Sequence, residues 1–462
     1  MAKTTPPVKL NERVQLTIAK IRQNGMGLAW ADEKEQYPVY LADAMLGEVV
    51  EAEIIQVDKL SAYGRIVSWV EKNPERIDAD RAYLLEAGTA PLVNWAYPAQ
   101  KAWKQSLVKE NFASAGLAIQ VAEPVTMDEK VPSYYRNKTV VPVKWQDGKL
   151  LSGFYQRGTH QLVPMEDYFV NNKRLDEVIV IVRNILERLK VSAYDPDTEE
   201  GAIRYIMVRR GYYSKQLMVV LVSNETTLPK EEKVVEEIVA ALPDLTSLIL
   251  NKAPKKDYVQ LSADNETLYG KSQIEDSLLG KRFLIGPNSF YQVNPVMTEK
   301  LYQTAADLAN LKETDLVVDA YAGIGTIGMS VADRVKKVIG VEVVPGAVAD
   351  AQKNLALNGI ENASYILKDA PEQFLEWEAE GVRPDVVFVD PPRRGLTPEL
   401  IEKTALMGPD RVVYVSCNPL TAARDCALFQ EVGYDITGPV VPVDQFPQTA
   451  HIETVTVLQK KR

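Results

Sequence analysis

Cysteine and histidine are nearly missing from this chain of 462 residues, which holds only Cys417, Cys426, His160 and His451. So few cysteines exclude a disulfide framework and fit a reducing, cytoplasmic setting. Two histidines far apart in the chain leave little material for a metal site, and none is expected. No apolar run approaches the roughly 18 residues a membrane span needs, and Met1-Ala2-Lys3-Thr4-Thr5-Pro6-Pro7 lacks the apolar core of a signal peptide. Positive charge is short as well: the net charge of −10 excludes a protein that coats nucleic acid through a global basic excess. What remains is a globular composition, 46% hydrophobic and 25% charged with no low-complexity tract, long enough for two or three domains.

The local texture divides the chain in three. Residues 8–69 carry short alternating runs (Val14 to Ile18, Tyr37 to Leu41, Val49 to Val57, Arg65 to Val70) separated by turns such as Asn24-Gly25-Met26-Gly27. That pattern is a small, OB-like β-barrel, an architecture used for oligonucleotides and equally for purely structural purposes. Residues 70–284 begin irregularly and then mix elements in an α+β domain, with helices expected near Pro98 to Ala115 and Val178 to Val191 and a strand at Gln216 to Val222. The stretch 97–128 is placed against the third domain. From 285 to 462 short apolar strands alternate with helical patterns: Asp315 to Asp319, Lys337 to Val341, Val386 to Asp390 and Arg411 to Ser416. Continuous Val and Ile runs of this kind belong to a parallel, Rossmann-like sheet covered on both faces, whose ligands sit at the carboxyl ends of the strands.

Those strand ends hold the informative residues. The first runs into Asp319-Ala320-Tyr321-Ala322-Gly323-Ile324-Gly325-Thr326, where glycines permit a tight turn and close approach to a ligand. The second ends in Glu342, a carboxylate placed to accept from ribose hydroxyls. Together these fit a nicotinamide dinucleotide as well as another adenosine cofactor, and the early aspartate with Tyr321 favours S-adenosylmethionine. The third ends in Asp390-Pro391-Pro392-Arg393, prolines holding the carboxylate at the pocket mouth. The fourth ends in Ser416-Cys417-Asn418-Pro419, which puts a thiol where it reaches a substrate. Cys426, within a helical stretch, reads as a core residue. The tail from Asp444 ends in Glu453, a surface or ion-paired residue when taken alone and a candidate general base in this company. A thiolate adding to C6 of uracil makes C5 nucleophilic toward a sulfonium methyl group; a base then removes the C5 proton and the thiolate leaves. The target base must first leave its stack. Residues 130–160 add a local net charge of +5, from Lys130, Arg136, Lys138, Lys144, Lys149 and Arg157 against Asp147. Tyr134, Tyr135, Trp145, Phe154 and Tyr155 interleave with these cations as base stacking would require, although a solvated sheet face explains them too.

With the SCNP loop, the DPPR loop and the FPQTxHxE tail in this order, the chain resembles the RNA uracil-5 methyltransferases (TrmA and RumA-like) in the form carrying an N-terminal TRAM barrel. The resemblance implies a class I methyltransferase domain at 285–462 and a central RNA-binding domain. It implies Cys417 as nucleophile and Glu453 as proton acceptor, and cofactor contacts from Gln292, Tyr321, Gly323, Gly325, Thr326, Glu342 and Asp390. Substrate contacts would come from Phe290, Asp390, Arg136 and Lys138, the last two within Tyr135-Arg136-Asn137-Lys138. Many members hold an iron–sulfur cluster on four cysteines. Here Ala87-Gly88-Thr89-Ala90 stands at the CGGC position and Tyr168 near the fourth ligand. No cluster is expected, with packing around Tyr83, Trp95 and Tyr168 in its place. The cluster-free pattern is similar to the Gram-positive 23S rRNA (uracil-C5)-methyltransferases, which implies rRNA processing to 5-methyluridine by a monomer with neither DNA nor membrane partners. Transfer RNA as substrate, a nicotinamide-dependent oxidoreductase, an amino methyltransferase and a non-catalytic RNA-binding module are the competing readings. The oxidoreductase leaves Cys417 and the DPPR loop unexplained, and an amino methyltransferase would carry Asn-Pro-Pro-aromatic where Asp390 stands.

Overall fold

The computed structural model describes residues 6–32, 34, 36–156, 159–254 and 260–461, so Arg157 of the basic stretch lies outside the described residues. Two compact units result: Met1–Leu107 with Asp128–Pro132 and Phe446–His451, and Val108–Met127 with Ser133–Gln445 and Ile452–Arg462.

The first unit is built on a closed barrel in the order Arg13–Ile21, Gly27–Trp30, Pro38–Leu41, Ala62–Glu71, Val49–Val57. Period-two patterning drives closure: Leu16 and Ile18, then Val50, Ala52 and Ile54, point inward and form one core with Val39 and Leu41. Each Val, Leu or Ile among them contributes about 1.5–3 kcal/mol on full burial. The four-residue strand Gly27–Trp30 was missed because its glycine reads as part of the preceding turn. Beyond the barrel a short helix, Ala82–Ala87, interrupts the expected irregular stretch. The buried Arg76 guanidinium fastens this stretch to the barrel, donating to Glu48 Oε2 at 2.7 Å, to Asp43 Oδ1 at 3.0 Å and to the Asp43 carbonyl at 2.7 Å. A buried cation is tolerated only when its donors are met in this way. Of the residues expected to pack where a cluster would sit, Tyr83 and Trp95 belong to this unit and Tyr168 to the other. Trp95 packs edge-on against Trp103 at 5.7 Å in this unit, whereas Tyr168 packs on Phe154 at 5.6 Å in the other. Part of the FPQTxHxE tail is structural: Gln448 N–H donates to Gln100 Oε1 at 3.0 Å, and Gln100 Nε2 returns a bond to Gln448 Oε1 at 3.0 Å.

The second unit holds two seven-stranded sheets. The central sheet runs Asn265–Gly270, Leu245–Lys252, Leu217–Ser223, Ile203–Arg210, Lys138–Gln146, Lys149–Tyr155, Leu162–Pro164, antiparallel except for one parallel pair. Its helix Lys173–Arg188 starts five residues before the expected Val178, because the Asn172 side chain caps it by accepting from Arg174 N at 3.1 Å. The last sheet runs Ala363–Leu367, Lys337–Glu342, Leu316–Asp319, Val386–Val389, Arg411–Ser416, Glu453–Lys460, Tyr434–Val443. The first five strands are parallel, and Val386–Val389 and Arg411–Ser416 are buried throughout, as a sheet covered on both faces demands. Sequence reading missed Ala363–Leu367 and the two antiparallel strands at the far edge. The core under this sheet includes Val108, Phe112 and Leu117 together with Val387, Tyr414 and the fully buried Cys426. Strand order reverses between Leu316–Asp319 and Val386–Val389, the switch point where an open α/β sheet binds its ligand.

Candidate active site

Every residue of the candidate site belongs to the second unit. At the switch point Ala320 N–H donates to the Phe388 carbonyl at 3.0 Å, which brings the loop after Asp319 alongside Asp390. Asp319 is 1% exposed; its Oδ2 accepts from Gly328 N at 3.0 Å, while its Oδ1 is buried with no partner among the described residues. Gly325 caps the helix Thr326–Val331 at φ +89°, and a Cβ there would lie 2.6 Å from the Tyr365 hydroxyl, so only glycine fits. Thr326 Oγ1 lies 3.2 Å from the Tyr302 hydroxyl. Glu342 Oε2 accepts from Gly323 N at 2.9 Å, and its Oε1 accepts from Val343 N and Val344 N at 2.8 Å each. These bonds lock the carboxylate and use both lone pairs of Oε1, leaving one on Oε2 for a ribose hydroxyl. A cavity of 720 Å³ is lined by Gly323, Glu342 and Phe290 among others, room for an adenosine cofactor and more.

Cys417 and Glu453 meet through sheet register. Ser416 pairs with Thr454 across antiparallel strands, so the next residue on one strand, Cys417, stands opposite the preceding residue on the other, Glu453. The SCNP sequence is explained by the same turn. Ser416 Oγ accepts from Asn418 N at 3.1 Å, Asn418 Oδ1 caps the helix Pro419–Glu431 by accepting from Leu420 N at 3.2 Å, and Pro419 opens its first turn. The DPPR loop is tied on by Asn418 Nδ2, which donates to the Arg393 carbonyl at 2.9 Å. Glu453, 3% exposed, is not the surface residue it resembles in isolation.

Electrostatics follow from burial. Desolvation first, then Glu453 and Asp390, push the Cys417 thiol up to about 11 against a pull from Arg393. Desolvation and then Asp390 raise the Glu453 carboxyl well above the glutamate range, and desolvation followed by Asp319 does the same to Asp390. Desolvation lifts Asp319 to about 7. Three crowded carboxyls suit a cationic ligand. Tyr302, buried within the electrostatic reach of all three, was not singled out in the sequence, where it is one aromatic on an amphipathic helix. Because each of these pKa values is higher folded than unfolded, the acids favour the fold while protonated and lose that contribution as pH rises through about 7 for Asp319 and Asp390 and about 8 for Glu453. The free protein therefore has a lower Tm at about pH 8.5 than at about pH 6, and S-adenosylmethionine, whose sulfonium offsets the charge, raises Tm more at the higher pH. Differential scanning fluorimetry checks this; equal shifts at both pH values, matched by the uncharged thioether product, would refute the charge argument.

Phe290 is 70% exposed into the cavity, whereas Gln292 is buried behind it. Asn137 N donates to the Val293 carbonyl at 2.8 Å and Asn137 Nδ2 to the Gln292 carbonyl at 3.3 Å, so half-buried Arg136 and Lys138 flank the loop that carries Gln292. Arg209, also missed, supports this loop from within by donating to the carbonyls of Gly286 at 2.6 Å and Ser289 at 2.9 Å. Burial, then Arg209 and Arg136, pull the Lys138 ammonium down to about 7, the signature of a cation cluster short of an anion. The interleaved aromatics have partners within the second unit. Tyr135 is buried, Tyr134 packs edge-on against Phe169, Trp145 Nε1 donates to the Val191 carbonyl at 2.9 Å, and Phe154 packs on Tyr168. Tyr134, Trp145, Phe154 and Tyr155 are half-buried, so packing within the second unit takes up part of each ring.

Comparison with known proteins identifies the family and the fold. The model of the tRNA (uracil-5-)-methyltransferase family matches residues 100–461. A protein of Lactiplantibacillus plantarum named as an uncharacterized RNA methyltransferase is 44% identical over the full length of both chains. One of Streptococcus mutans with the same name is 40% identical over 98% of this chain and all of its own. The crystal structure of Pyrococcus abyssi tRNA (uracil-54, C5)-methyltransferase in complex with S-adenosyl-L-homocysteine superposes with a TM-score of 0.76 at 25% identity, covering 96% of this chain and 100% of that one. A family model spanning the catalytic sheet and relatives alike from end to end place the chain in the tRNA (uracil-5-)-methyltransferase family.

Proposed function

We propose that the enzyme methylates C5 of uridine in 23S rRNA through a covalent adduct between Cys417 and C6 of the base. That it is a methyltransferase working with S-adenosylmethionine follows from its family; the substrate and the covalent route are the proposal. The observation that carries it is the register that sets Cys417 opposite Glu453 beside the recessed Asp390. Cys417 Sγ bonds to C6 and the displaced π electrons make C5 nucleophilic. The cofactor supplies an electrophilic methyl group on a sulfonium. Glu453 then takes the C5 proton, the C5–C6 double bond re-forms and the thiolate leaves. Gln292, Tyr321, Gly323, Gly325, Thr326 and Glu342 hold the cofactor, and Asp390 faces both it and the uracil edge. Phe290 stacks on the extruded base, and Arg136 and Lys138 meet RNA phosphate, the anion their cluster lacks.

The choice of 23S rRNA rests on the N-terminal barrel, read as a TRAM domain, and on the missing cluster cysteines. The enzyme acts in the cytoplasm as a monomer and needs no iron–sulfur cluster. The P. abyssi relative is named for transfer RNA, which keeps the same chemistry on tRNA as the second reading. Incubation with methyl-labelled S-adenosylmethionine and, separately, ribosomal and transfer RNA from a strain lacking 5-methyluridine decides between them. Label on 23S rRNA uridine is the expected result. Label on transfer RNA alone overturns the substrate, and label on neither overturns the reaction.

A further inference from the structure

The cavity beside Phe290 extends past the cofactor loops to a rim that the proposed chemistry leaves unused, and three asparagines are wired together there. Asn251 and Asn265 face each other across antiparallel strands. Asn251 is fully buried and its amide is fixed: Oδ1 accepts from Ser262 N at 3.0 Å, and Nδ2 donates to the Ser262 carbonyl at 2.9 Å and to Asn265 Oδ1 at 2.7 Å. Asn265 Nδ2 donates to the Ala263 carbonyl at 3.2 Å and to Asn288 Oδ1 at 2.7 Å. Asn288 Nδ2 donates to the Ser262 carbonyl at 2.7 Å. A carboxamide has two N–H donors and two lone pairs. Asn265 has spent both donors, whereas Asn288 keeps one N–H and one lone pair side by side. Asn288 is exposed, lines the same cavity as Phe290 and sits two residues before it, with buried Ser289 between them. The loop is also clamped from below, since Ser289 Oγ bonds Asp350 Oδ2 at 3.2 Å and the Ser289 carbonyl accepts from Arg209.

A fixed amide offering a donor beside an acceptor, at an RNA enzyme's substrate cavity, is the arrangement that reads the edge of a nucleobase; asparagine pairs in this manner with N6 and N7 of adenine. We infer that Asn288, oriented by Asn265 and Asn251, recognises the base of a nucleotide flanking the target uridine and so sets the sequence context of methylation. The inference rests on the RNA substrate proposed above. If the relay served only to join the strands Leu245–Lys252 and Asn265–Gly270, it would not need to extend to Asn288, an exposed residue on a separate segment that lines the cavity.

The test uses stem–loop RNAs with one target uridine and each of the four bases in turn at the 5′ and 3′ flanking positions, methylated by the wild-type enzyme, Asn288→Ala and Asn265→Ala. The wild type should spread kcat/KM by on the order of tenfold across bases at one flanking position, the worth of a good amide–base pair. Asn288→Ala should collapse that spread to about twofold, and Asn265→Ala, which loosens the orientation, should narrow it partially. A purely structural role would lower kcat/KM on all four RNAs alike and keep the spread. That result, or a wild type indifferent to both neighbours, overturns the inference while leaving the methylation reading intact. Failure of the wild type to methylate any RNA removes both.

Discussion

Cys417→Ala is expected to lower methyl transfer by on the order of 10⁴-fold or more while leaving S-adenosylmethionine affinity within about twofold of wild type. The split follows from placement. Cys417 lies at the end of the strand Arg411–Ser416 and before a capped helix, whereas the glycine loop and Glu342, proposed to hold the cofactor, lie at the ends of two other strands. Without the thiol no group in the site can make C5 of uracil nucleophilic, so the loss falls on the chemical step. Cys426 offers no rescue because it is buried in the helix packed under the sheet. The thiol is held up at about 11 by burial and two neighbouring carboxyls, so in the free enzyme it stays protonated near neutrality. Reactivity must therefore come with substrate, whose arrival displaces water and alters the charges facing the sulfur. Turnover measured with saturating RNA, beside isothermal titration with the cofactor, tests the split. A variant within a few-fold of wild-type turnover would exclude a covalent role for Cys417.

The parts of this site that were legible in the sequence share one physical origin. Parallel strands buried on both faces read as short apolar runs, and each run here stops at a residue type that a strand end seldom carries by chance: Asp319, Glu342, Asp390, Cys417. The fold class and the candidates followed from that punctuation. Their assembly was not legible, because it depends on which strands become neighbours. Glu453 reaches Cys417 only because Glu453–Lys460 inserts between Arg411–Ser416 and Tyr434–Val443, a non-local pairing with no local signal. The basic, aromatic stretch at 130–160 was legible only in part for a related reason. Its alternation marked a half-buried sheet, and tertiary packing sent Tyr135, Trp145 and Phe154 to internal partners while Arg136 and Lys138 stayed beside the Gln292 loop. Tyr302, Arg209 and the asparagine relay carry no signature at all, since each acquires meaning only from what it touches.

Glu453→Gln separates the two halves of the reaction. The amide is nearly isosteric with the carboxyl and cannot accept a proton from C5, so release of the methylated product should slow by about 10²–10⁴-fold. Adduct formation should not slow in parallel. The Glu453 charge is one of the two that raise the Cys417 thiol, and removing it favours the thiolate. A protein–RNA species carrying the methyl label should therefore accumulate and survive on a denaturing gel, close to stoichiometric with enzyme, where the wild type shows little. The same substitution removes one crowded carboxyl from the pocket, so the loss of stability as pH rises past neutrality should shrink. If turnover collapses with no trapped species, Glu453 acts before the adduct forms, most directly by taking the Cys417 proton, and the acceptor of the C5 proton must be sought at Asp390. A trapped, methylated adduct instead fixes the order of events: thiolate addition and methyl transfer precede the step that needs Glu453.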